Sequence, residues 1–288
     1  MEPVLRPARP EDKESILAFT QATIPRGDYI DRVFDDWLAD PAGITLIAEV
    51  QGAAAGLARG TLLSPVEAWA QGLRVHPEYR RRGMGTALLD RLAEWAAGQG
   101  AKVIRLSSED SNTAAGALIP TAGFRPAGRW LIVEKEALRA GPTPRGNGGK
   151  RAPAADRLRP APALEADAAM ISWSGGPLEM EAHGLFSQHW CCRRLTLDDL
   201  AGAARRGALW QGRTGWLFGE RDRDEFEVHW LSTYPEDARA MVAALLDLAA
   251  AAGADRLEAQ LPAVDWLTTA FAQAACDLFP LTVYARPL

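Results

Sequence analysis

Cysteine is scarce in this chain. Only Cys191, Cys192 and Cys276 occur among 288 residues. An odd, sparse set builds no disulfide framework and fits a reducing compartment. A surplus of positive charge is missing too: 37 acidic side chains against 32 basic ones leave a net charge of −5. Nothing therefore draws the chain as a whole to nucleic acid, and the sign mildly favours cationic small substrates. No apolar stretch reaches the length of a membrane span. The opening segment MEPVLRPARPEDKES is charged from its second residue and lacks the apolar core of a signal peptide. These absences predict a cytoplasmic protein without a membrane or nucleic-acid partner.

What is present exceeds one domain of common size. One segment breaks the globular texture, RAGPTPRGNGGKRAPAADR at Arg139–Arg157, rich in Pro, Gly and Ala with scattered basic residues. That is linker composition. A phosphate-loop reading of its GNGGKR fails, because Pro144 stands where the motif needs glycine and Arg151 where it needs Ser or Thr. The two flanks echo each other. LRPA at Leu5–Ala8 returns at Leu158–Ala161, and GAKVIRL from Gly100 is echoed at the same offset by GADRLEA from Gly253. HPEY…ALLD in the first half faces YPEDARAMVAALLD in the second. The shared order argues for a duplicated domain, divided as 1–138, a linker at 139–157, and 158–288.

The first half reads as mixed α/β. Strands are expected at Val4–Pro7, Ile44–Val50, Ala53–Leu62, Ala68–Val75, Val103–Leu106, Phe124–Pro126 and Trp130–Glu134. Helical spacing marks Arg9–Phe19, Tyr29–Leu38, Gly85–Ala97 and Thr113–Thr121. The chemistry concentrates in VHPEYRRRGMGTALL, Val75–Leu89. A strand, a tight glycine loop and a helix make an anion site, because a helix start offers unpaired N–H groups and partial positive charge. Gly83 and Gly85 can aim successive N–H groups inward, and Arg80, Arg81 and Arg82 add charge that suits phosphate. Dinucleotide binding fits poorly: its fingerprint needs a small residue where Leu88 stands, and it follows the first strand of its unit, whereas this loop follows the fourth.

At these residues the chain resembles the GNAT superfamily of N-acetyltransferases. Arg80-Arg81-Arg82-Gly83-Met84-Gly85 looks like the (Gln/Arg)-x-x-Gly-x-(Gly/Ala) loop that grips the pyrophosphate of acetyl-coenzyme A. Downstream, NTAAGALIPTAGF resembles the family's second cofactor element, with Asn112, Ala115, Leu118 and Gly123-Phe124 at matching spacing. The resemblance covers 1–138. It implies two tandem acyl-CoA N-acyltransferase folds, each a mixed, mostly antiparallel sheet flanked by helices, with the second copy degenerate. It also implies that the fourth and fifth strands splay apart. Backbone groups of Leu73, Arg74 and Val75 would then take the pantetheine arm, and Arg80 to Thr86 together with Asn112 would complete the acetyl-CoA site. An amine would attack directly, with one backbone N–H polarising the thioester carbonyl. An acyl-CoA-binding sensor without turnover and an acyltransferase for a non-amine acceptor such as a thiol are the alternatives.

The chain departs from the family's proton handlers. Ile119 stands where many members carry a tyrosine acid, and Trp69 and Ser107 stand where others carry a glutamate base. Glu67, Glu109 and Asp110 are the catalytic candidates that remain, with His76 read as a turn residue and Tyr79 as packing. In the second half PEDARAMVA replaces the glycine loop, and Asp237 there would repel phosphate. That half is expected to pack on the first and shape a cleft rather than hold a second active site. HGLFSQHWCC, with His183, His189, Cys191 and Cys192, does not carry metal-ligand spacing and reads as a buried cluster, so no metal is expected. The acceptor is a small-molecule or peptide amine, and two fused domains can imitate the dimer that single-domain relatives form.

Overall fold

A computed structural model describes residues 3–20, 28–138 and 157–288. The expected linker lies, apart from Arg157, outside the described residues. The chain gathers into two compact units that are not contiguous in sequence. Unit 1 holds Met1–Ser108, Asn112–Pro126 and Val283–Leu288; unit 2 holds Glu109–Ser111 and Ala127–Thr282. These units cross the division at 138 and 158. The strand Arg125–Lys135 lies mostly in unit 2, and the last residues of the chain lie in unit 1. The reason is long-range pairing, which a local reading cannot see.

In unit 1 the elements run β1 (Val4–Pro7), α1 (Asp12–Thr20), α2 (Ile30–Ala39), β2 (Gly43–Val50), β3 (Ala53–Ser64), β4 (Glu67–Val75), α3 (Met84–Gly98), β5 (Val103–Glu109) and α4 (Thr113–Thr121). β1 to β4 form an antiparallel meander in sequence order, and β5 joins β4 in parallel. A parallel partner needs a crossover, and α3 supplies it. Alternate residues of a strand face opposite layers. Thus Leu46 and Ala48 of β2 join the core under α3, while Ile47 joins Ile16, Phe19, Ile30 and Phe34 under α1 and α2. Met84, Leu88, Leu89, Leu92, Ala93 and Ala96 give α3 its buried stripe. Each fully buried leucine there contributes roughly 1.5–3 kcal/mol.

Unit 2 contains the bulk of β6 (Arg125–Lys135), then β7 (Arg159–Pro160), α5 (Ala166–Trp173), α6 (Pro177–Ala182), β8 (Leu185–Gln188), β9 (Cys191–Arg194), α7 (Leu197–Arg205), β10 (Leu209–Gly212), β11 (Gly215–Asp222), β12 (Glu225–Ser232), α8 (Ala238–Ala251), β13 (Arg256–Pro262), α9 (Asp265–Gln273) and the first part of β14 (Asp277–Pro287). Its sheet runs β6-β13-β12-β11-β10-β7, antiparallel except for the parallel pair β12–β13. β8 and β9 make a separate hairpin. Each unit therefore repeats one plan: an antiparallel meander, a crossover helix and a parallel strand. The two strands expected at 124–126 and 130–134 are one continuous strand, β6.

β4 is bent by a bulge. Arg59 pairs with Gln71 and Leu57 with Arg74, so Gly72 and Leu73 stand opposite a single residue of β3. Gly72 has φ of 66°, and a Cβ added there would lie 2.5 Å from the Trp37 ring. Both facts demand glycine. Gly72→Val is therefore expected to destabilise the protein by about 2–4 kcal/mol, from left-handed strain plus overpacking. A lower urea midpoint at unchanged slope is the expected result; an unchanged midpoint would mean that Trp37 yields freely.

Candidate functional site

The parallel pair β4–β5 holds for only three residue pairs: Glu67↔Val103, Ala68↔Ile104 and Trp69↔Arg105. Beyond Trp69 the strands part, and the bulge at Gly72 lies on the parted stretch. Leu73, Arg74 and Val75 thus have no partner on β5. Their carbonyls carry local bonds instead: Arg74 Nη1 donates to Leu73 O at 3.1 Å, and Arg80 Nε donates to Val75 O at 3.1 Å. The Arg74 guanidinium also grips the buried Asp28, with Nε 2.7 Å from Oδ2. Only the backbone of Arg74 is left to meet a ligand.

After β4 comes a 3₁₀ turn at Pro77–Tyr79. The Glu78 N–H donates to His76 Nδ1 at 3.3 Å, and the His76 ring packs between Phe19 and Tyr79. That is a capping and packing role, as the short turn suggested. Arg80, Arg81 and Arg82 are exposed, and Arg82 lies 5.5 Å over the Tyr79 ring. Arg81 has φ of 60° and Gly83 of 80°. Gly83 is the N-cap of α3 and offers no side chain to cap it. The N–H groups of Met84, Gly85 and Thr86 therefore emerge without intrahelical acceptors, beside three exposed cations. Gly85 has another reason to be glycine: a Cβ would meet Leu118 of α4 at 2.4 Å. Thr86 and Thr121 hydroxyls meet at 3.2 Å. Asn112 is the N-cap of α4, its Oδ1 accepting from Ala115 N–H at 3.1 Å.

The carboxylate candidates are dispersed. Glu67 starts β4, at the closed end of the parallel pair, and accepts from Arg105 Nη1 at 2.7 Å with both side chains largely buried. It forms there half of an internal ion pair, at the end of the strand pair opposite to the parted stretch. Glu109 and Asp110 belong to unit 2. Asp110 accepts from Thr282 Oγ1 at 2.7 Å and lies 3.8 Å from Arg129. Glu109 is exposed, with Ser111 Oγ 3.3 Å from its Oε2. Ile119 is 3% exposed within the core that Tyr284 also packs against.

Unit 2 holds a row of carboxylates that the sequence reading missed. β12–β13 also pair in parallel briefly, from Glu225↔Arg256 to Val228↔Ala259, and then part. Ser187, Trp190, Glu227, Val228, Glu258, Ala259 and Gln260 line a small pocket there of about 10 Å³, room for one water. Strand register sets four glutamates in a row: Glu220 opposite Glu227, Glu227 opposite Glu258, Glu258 opposite Glu134. Glu227 accepts from the His189 backbone N–H at 3.0 Å and meets His189 Nδ1 at 3.2 Å. The buried His229 ring lies 3.4 Å from both Glu220 and Glu227, within ion-pair reach but without hydrogen-bond geometry. Burial works to raise the Glu227 carboxyl, yet the bond from His189 and the proximity of His229 hold it well below the usual range. Glu258 goes the other way: burial, then the charges of Glu225, Glu227 and Glu134, push it up to about 8. Neighbouring carboxylates with values driven apart mark a candidate site on physical grounds. The signal was present in FEVHWLS and RLEAQLP as polar residues at every second position, but such alternation usually marks a solvent face. Among the described residues, no group of three His, Cys, Asp or Glu could hold a metal. His183 instead ends α6 in a left-handed conformation.

The parted parallel strands, the crossover helix and its uncapped start define an acyl-CoA N-acyltransferase fold, present twice in tandem. Residues 13–124 match the model of the acetyltransferase (GNAT) family. It is 31% identical over 170 residues to a mycothiol acetyltransferase from Parafrankia sp. (strain EAN1pec), covering 57% of this chain and 48% of that protein. The match thus spans about half the length of that relative. Among solved structures it is similar to a GCN5-related N-acetyltransferase from Sphaerobacter thermophilus, with TM-score 0.66 and 16% identity over 99% of this chain and 95% of that one. It is similar as well to a tandem GNAT protein from the clavulanic acid biosynthesis pathway, with TM-score 0.59 and 15% identity over 99% and 98% of the two chains. At these identities the structural likeness shows the fold. No described helix is long and apolar enough to cross a membrane.

The Glu258 shift carries a sign. Its folded value lies above the ordinary 4.5, so the folded state favours the neutral acid. That contribution to stability is complete below about pH 4.5 and is lost as pH rises through about 8. Glu258→Gln should therefore match the parent in Tm at pH 5 and exceed it by a few degrees at pH 9. Equal Tm values at both pH would show that Glu258 ionises freely.

Proposed function

We propose that unit 1 binds acetyl-coenzyme A and transfers its acetyl group directly to a primary amine. The observation that carries this reading is the junction at Arg80–Met84: three exposed arginines and a left-handed Gly83 lead into a helix whose first N–H groups have no side-chain cap. Such a junction is complementary to a pyrophosphate. Acidic groups would spoil it, and the matching helix of unit 2 begins at Glu236-Asp237 instead. The family match over the same residues supports the donor, and the name of the relative supports acetyl transfer.

Bound there, the coenzyme supplies an activated thioester. The chain's own part is positional. The N–H groups of Met84, Gly85 and Thr86 hold the phosphate end, with Arg80 to Arg82 neutralising its charge. The stretch Leu73 to Val75, held by β3 on one side and without a β5 partner on the other, offers an extended rail for the arm that follows. Holding two reactants in register supplies a share of the rate gain such a site needs. With no acid at 119, proton transfer falls to solvent or to the acceptor itself, which predicts a rate that climbs with pH as the amine loses its proton.

Gly83→Asp tests the donor reading. It places a carboxylate at the helix start in open space but at a left-handed φ of 80°, so the fold should survive with a stability loss of about 1 kcal/mol, which thermal unfolding reports separately from affinity. Acetyl-coenzyme A affinity by calorimetry should fall at least tenfold, about 1.4 kcal/mol. Unchanged affinity would overturn the pyrophosphate assignment. Release of free thiol across an amine panel then reports transfer; tight binding without release from any amine would make unit 1 a binding domain.

A further inference from the structure

Past the bulge at Gly72, β4 has left β5 behind, and a bent strand with one neighbour needs something else to fix its course. On the β3 side Val75 pairs with Gly56 and Arg74 with Leu57. The His76 N–H donates to Ala55 O at 2.8 Å, so the alternation of an antiparallel ladder turns the N–H and C=O of Val75 away from β3, into the gap. Two arginine side chains attend that gap. Arg80 Nε donates to Val75 O at 3.1 Å, and Arg74 Nη1 donates to Leu73 O at 3.1 Å. With those carbonyls engaged, the Val75 N–H is the group turned toward a ligand, and it suits an acceptor such as an amide carbonyl. The arm of acetyl-coenzyme A carries amide carbonyls.

The Arg74 guanidinium is itself held. Leu73 and Val75 pack on the core under α3, so alternation sends Arg74 to the opposite face, where α2 lies. Asp28, its side chain 1% exposed, sits just before α2. It accepts from Arg74 Nε at 2.7 Å and Nη2 at 3.2 Å, and its Oδ1 accepts from the Ile30 N–H at 3.1 Å. One carboxylate therefore joins the start of α2 to the parted stretch of β4. The guanidinium carbon lies 5.4 Å over the Tyr29 ring, which meets the Trp37 ring edge-on at 6.0 Å. Trp37 in turn covers Gly72. A planar guanidinium that gives N–H groups to both a carboxylate and a carbonyl fixes direction as well as charge. Two other internal ion pairs of unit 1 lie where strands are paired: Arg59 with Asp40 on β3, and Arg105 with Glu67 at the closed end of β4–β5. Arg74 stands on the parted stretch and donates to a carbonyl of that same stretch.

We propose that Asp28 and Arg74 are positioning residues: as a clamp they hold Leu73 to Val75 in the course that receives the arm of acetyl-coenzyme A, and they leave its diphosphate end to the junction at Arg80–Thr86. This rests on the reading of unit 1 as the acetyl-coenzyme A site. ADP, which has a diphosphate and no arm, is the probe that separates the two ends. In calorimetry of the full chain, Arg74→Met should weaken acetyl-coenzyme A by about tenfold or more and ADP by less than about twofold. That change leaves Asp28 buried without its cation, so Asp28→Asn combined with Arg74→Met is the companion variant. It removes the stranded charge and keeps an oxygen for the Ile30 N–H. It should show the same split between the two ligands at a Tm close to the parent's, with no greater loss than Arg74→Met alone, because the pair acts as one unit. A merely structural pair would lower both affinities together. Parent affinity for acetyl-coenzyme A in the folded double variant, an equal fall for ADP, or loss of the fold in that variant would each overturn the clamp. A parent that binds neither ligand would overturn the acetyl-coenzyme A reading of unit 1 and the clamp with it, whereas affinity retained in the variant overturns the clamp alone.

Discussion

Two parallel strands that pair briefly and then separate are the constraint on which both units depend. A parallel ladder needs a crossover, and a helix supplies it in each case. That helix begins beside the end of the strand it follows. Where the strands part, backbone groups lose their ladder partners and must find others. In unit 1 the bulge at Gly72 bends β4 along its parted stretch, and Trp37 packs against the bend. In unit 2 the same separation is lined by Glu227, Glu258 and Gln260. One backbone plan thus presents two chemistries, decided by side chains.

The contrast between the two helix starts follows simple electrostatics. Three arginines and a left-handed glycine precede α3; Tyr-Pro-Glu-Asp precedes α8. A helix start attracts anions only if nearby charge does not cancel its field. The strand chemistry is inverted between the units. Corresponding parallel pairs are Trp69↔Arg105 in unit 1 and Glu227↔Glu258 in unit 2. The two copies thus differ in side chains on one plan: arginines and a left-handed glycine at the helix start of one, a row of glutamates along the strands of the other.

Polar groups in the interior are mostly tied down, which makes the exceptions informative. Buried Arg59 donates to the Trp37 carbonyl at 2.6 Å, to Thr45 and Thr61, and pairs with Asp40, so it staples the end of α2 to β3. Burial lowers its affinity for a proton, and Asp40 opposes that. Arg105 and Glu67 close the paired end of β4–β5 in the same manner. Against that background the loose amide atom of Gln260 and the unpaired Glu258 stand out in unit 2.

Local rules were enough for the element plan of unit 1 and for its loop. Helical spacing, the run of arginines and Gly83 at a helix onset are short-range features, and short-range physics places them. The duplication was legible because repeats at one offset need no tertiary information. Three things were decided only by the fold. Strand membership was one: Ala127–Lys135 and Val283–Leu288 each join the unit that a contiguous reading would not assign, because pairing depends on partners more than a hundred residues away. The fate of Glu67 was another, since a carboxylate on a strand looks the same in sequence whether it faces a ligand or an arginine 38 residues on. The last was the cavity at Gln260. Alternating polar residues on a strand signal water by default, and only the packing of the β8–β9 hairpin, with Ser187 bonded to Gln260, buries that face.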